Sequence, residues 1–329
     1  MEGLEPVVQG LLLAFALVVI LMPLFLRVLR RLGFGKRIRI EGPQSHLVKE
    51  GTPTMGGVLM LLVVGAITLL LEGLGNRFID GSTFAPLATL ALVGVLGTAD
   101  DYLNARTGDG IRVRQKLLWQ TAVAGYAAFQ IQETYAIDLI NVPFLGSVEI
   151  APVLYVLFAA FAIIATSNGV NITDGLDGLA GGTLIFAFIG FMIIAALNGQ
   201  PNLAVLCALI VGALLGFLWF NVHPAEVFMG DSGSLSLGAT LAVVALISGQ
   251  ILLLPLIGIV FVLETASDLL QILSVKTTGR RIFRFTPLHH HFELGGWDEE
   301  KITLRFWIVG VLAAMLGVVV FVASRGLYA

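Results

Sequence analysis

The chain has 329 residues, of which 57% are hydrophobic and only 12% are charged, and its formal net charge is −3. Soluble domains carry roughly 25% charged residues, so this composition excludes an ordinary water-soluble globule. Disordered chains are poor in apolar residues and are excluded as well. Because the chain has no excess of positive charge, we expect no nucleic acid partner. The composition predicts a protein embedded in a membrane.

Ten apolar stretches follow one another along the chain. Because a spanning helix needs about 20 apolar residues, we expect about ten transmembrane helices in an all-α, polytopic integral membrane protein. The predicted spans are residues 7–26, 55–71, 84–97, 117–131, 151–165, 179–197, 203–220, 235–248, 251–275 and 302–324. No tandem repeat divides them, so we expect a single transmembrane domain over residues 1–329.

The basic residues predict which loops face the cytoplasm. With the N-terminus outside and the spans alternating, all 19 lysines and arginines except Arg77 and Arg325 fall in inside loops. Positive charge accumulates in cytoplasmic loops, so this topology, with both termini outside, is favoured. The outside loops are short, and residues 137–150 resemble a small external β-hairpin. All five histidines and the aspartate-rich segments fall inside, so we expect a cytoplasmic active site.

The first inside loop is basic and ends in the segment from Lys49 to Gly57. Its arginines are typical of a segment that lies on anionic lipid. We interpret the end of the loop as a binding segment, because two glycines at a helix start allow close approach of a ligand. Backbone N–H groups at that position would favour an anion.

The second inside loop begins with the adjacent carboxylates of Asp100 and Asp101. Carboxylates near a membrane are costly unless they are paired, solvated or bound to a metal. One interpretation is a solvated helix end that pairs with Arg112, Arg114 or Lys116. The other is a general base or an acidic site beside a divalent cation.

The third and fourth inside loops add further acids. Residues 168–182 contain two asparagines, two aspartates and five glycines, more than one helix N-cap requires. Asp174 and Asp177 would share a face if this segment were helical. Asp231 lies between glycines just before a predicted span, as an aspartate presented for metal or phosphate chemistry would.

The fifth inside loop contains the consecutive histidines His289, His290 and His291. Three adjacent side chains do not converge easily on one zinc ion. We therefore expect them to donate hydrogen bonds or positive charge to a diphosphate near neutral pH. Acids that hold Mg²⁺ beside basic groups that hold phosphate oxygens are the parts of a phosphoryl transfer site. The residues thus predict a magnesium-dependent transferase that acts on a phosphorylated lipid.

Five segments carry a resemblance to a known family. They are residues 53–57, the Asp100–Asp101 pair, residues 171–180, residues 228–234 and residues 287–293. Together they resemble the polyprenyl-phosphate N-acetylhexosamine-1-phosphate transferases over essentially the whole chain. The three histidines followed by Phe-Glu favour the muramoyl-pentapeptide branch. The resemblance implies one transmembrane transferase domain in the bacterial inner (plasma) membrane.

The resemblance also implies the reaction and the site. Undecaprenyl phosphate would attack UDP-MurNAc-pentapeptide to give lipid I and UMP, with Mg²⁺ as cofactor. Asp231 is similar to the family's magnesium ligand, and Asp100, with Asp101 beside it, is similar to its proposed base. An aspartate nucleophile in a two-step reaction stays open. The positions similar to the family's nucleoside pocket are Lys49, Gly175, Leu176, Asp177 and Phe228. The positions similar to other polar residues of its active site are Thr54, Lys116, Asn171, Asp174, Asn221 and Gln271. A diphosphate or sugar site is implied at His289, His290 and His291.

Several alternatives remain open. A sister transferase that moves GlcNAc-1-phosphate would use the same chemistry, and the segment 287–293 argues against it. An ion-coupled transporter would use Glu264 and Asp268 of the ninth span as coupling residues. Transporters usually place such sites near the bilayer midplane, whereas most inside acids of this chain lie in loops, which argues against this alternative. These two acids otherwise either pair inside the bundle or form the polar edge of a groove for the polyprenyl chain. The oligomeric state is also open, with a homodimer as one alternative.

Overall fold

The computed structural model describes residues 4–35, 49–135 and 139–325, and most of these residues are helical. The helices are α1 (Leu4–Leu32), α2 (Gly56–Gly73), α3 (Gly81–Thr107), α4 (Val113–Tyr135), α5 (Pro152–Thr173), α6 (Leu179–Leu197), α7 (Pro201–Asn221), α8 (Gly230–Ile247), α9 (Leu254–Ile257), α10 (Ile259–Thr278), α11 (Leu288–Glu293) and α12 (Glu299–Arg325). The strands β1 (Leu139–Val142) and β2 (Gly146–Glu149) form an antiparallel hairpin.

The predicted all-α, polytopic fold is confirmed. Among the described residues, eight helices are long and apolar enough to cross a membrane, and the pair α9 and α10 adds a ninth if it counts as one span. This pair is bent by 80° at Gly258. Helix α4 contains the predicted stretch 117–131 but also Arg114, Lys116 and four glutamines, so it is more polar than the helices that contain the other nine predicted stretches.

The core of the bundle lies around α7 and α8. These two helices are buried on nearly all sides, whereas α1 and α12 expose most of their apolar surface at the periphery. Close contacts rest on small residues: a Cβ at Gly212 of α7 would lie 2.1 Å from the carbonyl oxygen of Leu11 in α1. Helices in lipid gain their packing energy from such close approach, since the surrounding lipid is as apolar as the side chains.

The helix termini gather at two opposite ends of the bundle. At the site end lie the C-termini of α3, α5, α7 and α10 and the N-termini of α2, α4, α6, α8 and α12, joined by the polar contacts described below. At the far end lie the hairpin, whose Asn141 donates to the Gly249 carbonyl, and Arg325, which donates to the Leu197 carbonyl. The predicted hairpin is therefore confirmed for its described residues. The termini 1–3 and 326–329, Lys36, Arg37, Arg39, His46 and residues 137–138 lie outside the described residues.

Candidate active site

Two carboxylates from different helices share one ammonium group at the site end. Lys116, in the first turn of α4, places its Nζ 2.5 Å from Asp231 Oδ2 and 3.1 Å from Asp100 Oδ2. Asp231 lies in the first turn of α8, and Asp100 lies near the end of α3. The other oxygen of Asp100 accepts the backbone N–H of Ile111 at 2.6 Å. The structure thus brings three predicted site residues together and favours pairing with Lys116 over pairing with the neighbouring arginines.

Asn171 extends this acid–lysine cluster to α5. Its Nδ2 donates to Asp231 Oδ1 at 2.8 Å and to Ser234 Oγ at 2.9 Å. Asp231 therefore has one oxygen on an ammonium and one on an amide. Four helices meet at this carboxylate, although their residues are far apart in sequence.

Asp101 holds the backbone at Asp231 in place. Its two oxygens accept the backbone N–H groups of Asp231 at 2.9 Å and of Ser232 at 3.0 Å, and its side chain is buried. These N–H groups begin α8 and have no partner within the helix, so Asp101 caps the helix from another segment. Gly230 has φ +74°, and a Cβ there would lie 2.4 Å from Asp101 Oδ2. Asp101 therefore positions the carboxylate of Asp231.

A second polar cluster surrounds Asp177. One of its oxygens accepts Lys49 Nζ at 2.7 Å, and the other contacts His223 Nδ1 at 2.9 Å and accepts the Ala225 N–H at 3.1 Å. Lys49 also lies 2.6 Å from Glu299 Oε1. The structure thus joins two residues of the predicted nucleoside pocket and adds His223 and Glu299, which the sequence did not single out.

The turn that follows α5 is not helical, so Asp174 and Asp177 do not share a helix face. Helix α5 ends at Thr173, Asp174 caps it, and Gly178 has φ +75°. The side chain of Leu176 packs among Leu179, Val260, Ile302 and Phe306. Asn221 accepts the Gly178 N–H at 3.0 Å and donates to the Val227 carbonyl at 2.8 Å. Buried side chains thus fix the backbone of this turn from both sides.

The segment before α2 pairs with protein backbone rather than with a ligand. Gly56 and Gly57 donate to the carbonyls of Phe228 and Met229 at 2.8 and 2.9 Å, and the Phe228 N–H donates to Pro53. A Cβ at Gly57 would lie 2.2 Å from the Gly233 nitrogen. The expected anion site at these two N–H groups is therefore wrong, because the glycines are needed for contact with the segment before α8. Half-buried Thr54 donates its N–H to the Phe34 carbonyl.

The three consecutive histidines have three different environments. His289 is fully buried, with Nδ1 3.0 Å from Glu264 Oε2, and its Nε2 abuts Gly175. His290 Nδ1 lies 2.9 Å from Glu293, and His291 Nδ1 accepts the N–H of Arg284 at 3.1 Å. Glu264 thus pairs inside the bundle, which was one of its two interpretations. His290 and His291 retain partial exposure, and their predicted contact with a diphosphate or sugar stays a prediction.

Gln271 shapes the fifth loop. Its Oε1 accepts the N–H groups of Ile282 and Phe283 at 2.9 and 3.1 Å, and its Nε2 donates to the Phe283 carbonyl at 3.0 Å. All of these partners are backbone groups of the loop. Gln271 therefore acts on the site through the loop that carries the histidines.

Two clusters could hold a metal ion. The ligand atoms of Asp177, His223 and Glu299 all lie within 4.8 Å of one another, but the ammonium of Lys49 already neutralises both carboxylates. Asp100 and Asp231 offer oxygen ligands, which Mg²⁺ prefers, and an ion there would take the place of the Lys116 ammonium. The donor chemistry therefore fits Mg²⁺ better at Asp100 and Asp231.

An apolar cavity of about 340 Å³ lies between α5 and the bent pair α9–α10. Its lining residues include Phe158, Phe161, Leu252, Pro255, Phe261 and Leu269. Gly258, where the span bends, also lines the cavity. The cavity has the character of a lipid-chain site.

Comparison with known proteins adds independent information. Residues 83–249 match the family model of glycosyl transferase family 4, and residues 49–61 match phospho-N-acetylmuramoyl-pentapeptide-transferase signature 1. The chain is 44% identical to the phospho-N-acetylmuramoyl-pentapeptide-transferase of Geobacillus sp. (strain WCH70), over 95% of this chain and 97% of the relative. It is 42% identical to the protein of that name from Listeria welshimeri, over 94% and 96% of the two chains.

Proposed function

The chain belongs to the phospho-N-acetylmuramoyl-pentapeptide-transferase family, and on that premise we propose that it transfers phospho-MurNAc-pentapeptide from UDP-MurNAc-pentapeptide to undecaprenyl phosphate. The products are lipid I and UMP. The observation that carries this proposal is the acid–lysine cluster of Asp100, Lys116 and Asp231, built from three helices at one end of the bundle. This membership argues against the ion-coupled transporter.

The reaction forms one phosphorus–oxygen bond and breaks another. An oxygen of undecaprenyl phosphate attacks the sugar-proximal phosphorus of the donor, and the bond from that phosphorus to the UMP oxygen breaks. UMP leaves with the electron pair. Because the negative charge of three phosphates accumulates here, cations contribute most to stabilising the transition state.

Asp231, with Asp100 and the amide of Asn171 beside it, would hold Mg²⁺ in the loaded enzyme. The ion would neutralise phosphate oxygens and polarise the phosphorus under attack. Lys116 would bind a phosphate oxygen. Asp101 keeps Asp231 in place through the backbone of α8.

Asp100 is the group that receives any proton left on the acceptor phosphate, at Oδ2. A phosphate monoester has its second pKa at about 6 and is already largely ionised at pH 7. The demand on Asp100 as a base is therefore small.

The remaining residues place the substrates. Lys49 and the backbone of the turn at Gly175, Leu176 and Asp177 bind the nucleoside, with the ring of Phe228 stacking on uracil. His290 and His291 approach the diphosphate or sugar, with His289 as their buried support. The apolar cavity between α5 and α9–α10 takes the polyprenyl chain, so that its phosphate reaches Asp100 from the membrane.

In this proposal the site end lies on the cytoplasmic side of the bacterial plasma membrane. The described basic residues Arg30, Arg106, Arg114 and Arg280 lie at or near helix termini of that end, whereas Arg325 lies at the far end. The soluble nucleotide donor is made in the cytoplasm, so the charge distribution and the substrate agree.

A donor panel tests the function. Purified protein in detergent is incubated with undecaprenyl phosphate, Mg²⁺ and either UDP-MurNAc-pentapeptide or UDP-GlcNAc, and UMP is measured. We expect UMP and lipid I in equal amounts with the first donor, none with the second, and none after addition of EDTA. UMP release with UDP-GlcNAc alone would instead favour the sister transferase, and release in EDTA would contradict the metal dependence.

A further inference from the structure

Glu299, the first residue of α12, is the common partner of two distant segments. Its Oε1 accepts Lys49 Nζ at 2.6 Å and the backbone N–H of Asp177 at 2.6 Å. The side chain is only 12% exposed. One carboxylate oxygen thus ties the segment before α2 to the turn between α5 and α6.

One face of α12 forms hydrogen bonds with this turn. Glu299, Thr303 and Trp307 are four residues apart, so they lie above one another on the helix. Thr303 Oγ1 donates to the Asp177 carbonyl at 3.1 Å, and Trp307 Nε1 donates to the Gly178 carbonyl at 3.1 Å. Both peptide groups of Asp177 are therefore fixed by α12.

Two hydrogen bonds within this cluster fix the orientation of the Lys49 ammonium group. An ammonium group has three N–H donors, and two are taken by Asp177 Oδ1 and Glu299 Oε1. The side chain of Asp177 is 1% exposed, and both of its oxygens are hydrogen-bonded, so it does not face a ligand. Among the contacts of the described residues, the third N–H of Lys49 is the donor left for an anionic or carbonyl oxygen.

We propose that Glu299 is a positioning residue for the nucleoside diphosphate of the donor. Glu299 orients Lys49 and fixes the turn at Asp177. The inference rests on the proposed function, because the assignment of Lys49 and Asp177 to the nucleoside comes from the family resemblance. Glu299 itself does not touch the reacting atoms. Its removal should weaken donor binding and leave the chemical step intact.

The test compares Glu299→Gln with Asp298→Asn. The amide at position 299 retains an acceptor for the Asp177 N–H but no longer neutralises Lys49. We expect the KM for UDP-MurNAc-pentapeptide and the Kd for UMP to rise by about tenfold, the loss of one charge-assisted hydrogen bond. We expect kcat and the KM for undecaprenyl phosphate to be unchanged. Asp298 is exposed, carries the same charge and precedes Glu299 directly, so Asp298→Asn should match the wild type.

A double-mutant cycle separates positioning from general stabilisation. In a Lys49→Met background, Glu299→Gln should change the Kd for UMP much less than in the wild type, because the group it orients is gone. Glu299→Asp, which keeps the charge, should recover part of the affinity. Equal effects of Glu299→Gln in both backgrounds, or a lowered melting temperature with an unchanged Kd for UMP, would overturn the inference.

The outcomes distinguish this inference from the function it rests on. If the wild type releases no UMP from the donor, the proposed function fails. If the wild type turns over and Glu299→Gln behaves like Asp298→Asn, the function stands and the role of Glu299 is refuted.

Discussion

Each carboxylate of the site is defined by the cation or N–H group that it holds. Asp231 and Asp100 share the ammonium of Lys116, Asp177 and Glu299 share that of Lys49, and Asp101 accepts two backbone N–H groups. A buried charge is costly unless it is paired and hydrogen-bonded, so these partners determine where acids can lie. Only the acids that a substrate or metal can reach by displacing a lysine are candidates for chemistry.

The pair of Glu264 and His289 has the clearest consequence for stability at this scale. Glu264 is fully buried in α10 and accepts His289 Nδ1 at 3.0 Å. Glu264→Leu removes the acceptor and leaves the buried imidazole N–H unpaired, which should cost about 1–3 kcal/mol. We expect a lower melting temperature in detergent, with Glu264→Gln, which keeps an acceptor oxygen, much closer to the wild type. Equal melting temperatures of the two variants would refute this pairing.

Sequence reasoning finds some residues of the site and misses others for a physical reason. Asp100 and Asp231 stand out because an acid at the edge of an apolar span is costly. Glu299 lies in the first turn of α12, where acids are common because they interact favourably with the helix dipole. Its contacts with Lys49 and Asp177 cross 250 and 122 positions of sequence, and no local pattern encodes them.

At the scale of helices, close approach of α3 to α8 places the carboxylates of Asp100 and Asp231 side by side. A Cβ at Gly97 of α3 would lie 2.2 Å from the carbonyl oxygen of Asp231. The backbone cannot yield there without moving the first turn of α8. Glycine is thus needed at 97 for position rather than for flexibility.

Gly97→Ala should therefore impair turnover strongly. A shift of about 1 Å at a catalytic group can cost on the order of a hundredfold in rate. Gly65→Ala in α2 is the matched control, because a Cβ at Gly65 would meet no atom within 4 Å. We expect kcat to fall in the first variant and to stay near the wild type in the second. Equal turnover would show that α3 and α8 tolerate separation.

The start of α3 at the far end is stabilised by Asp80. Its carboxylate accepts the N–H groups of Ser82 and Thr83 at 2.8 and 3.1 Å and the amide of Asn202 at 2.8 Å. Partial burial alone would raise the pKa of Asp80, but the hydrogen bonds from Ser82 and Asn202 outweigh it and hold the pKa below the ordinary 3.8. The stabilisation is therefore present above pH 3.8 and disappears as the pH falls through the lowered pKa.

Asp80→Ala should lower the free energy of unfolding by about 1 kcal/mol, as for other N-caps. The difference in melting temperature from the wild type should be present at pH 7 and shrink toward pH 3. Glu149→Ala, at an exposed position of the hairpin, is the control. A difference that persists undiminished at pH 3 would contradict the role of the ionised carboxylate.

The helices themselves follow from apolar runs, and all ten predicted stretches coincide with helical segments to within one residue, the ninth being divided at Gly258. The 80° bend at Gly258 has no such signal, because the apolar run continues through it. The polar character of α4 has a cause that is visible only in the fold. Its Gln120 is buried against Ser167 and Asn168 of α5, so polar groups inside the bundle satisfy one another.

At the scale of the whole molecule, the two ends of the bundle differ in chemistry. The site end carries both lysine–carboxylate clusters and the histidines, whereas the far end carries the hairpin and Arg325. The distribution of basic residues in the sequence predicts this separation, since positive loops stay on one side of the membrane. The convergence of five loops on one site could not be predicted from charge, because it depends on which helices are neighbours.

Labelling in intact cells tests the orientation. Cys207 is buried, so a cysteine placed elsewhere is the accessible thiol. Glu149→Cys should react with a membrane-impermeant maleimide added outside, and Arg281→Cys should react only after permeabilisation. The reverse pattern would place the site end outside and contradict a cytoplasmic donor.

We expect charge neutralisation at Asp231 to contribute more to the reaction than proton removal at Asp100. The most direct measurement is the turnover of Asp231→Asn and Asp100→Asn with UDP-MurNAc-pentapeptide, undecaprenyl phosphate and saturating Mg²⁺. We expect Asp231→Asn to lose on the order of a hundredfold or more in kcat, as when a group that stabilises transition-state charge is removed. The loss in Asp100→Asn should be clearly smaller. A larger loss from Asp100→Asn would contradict this account.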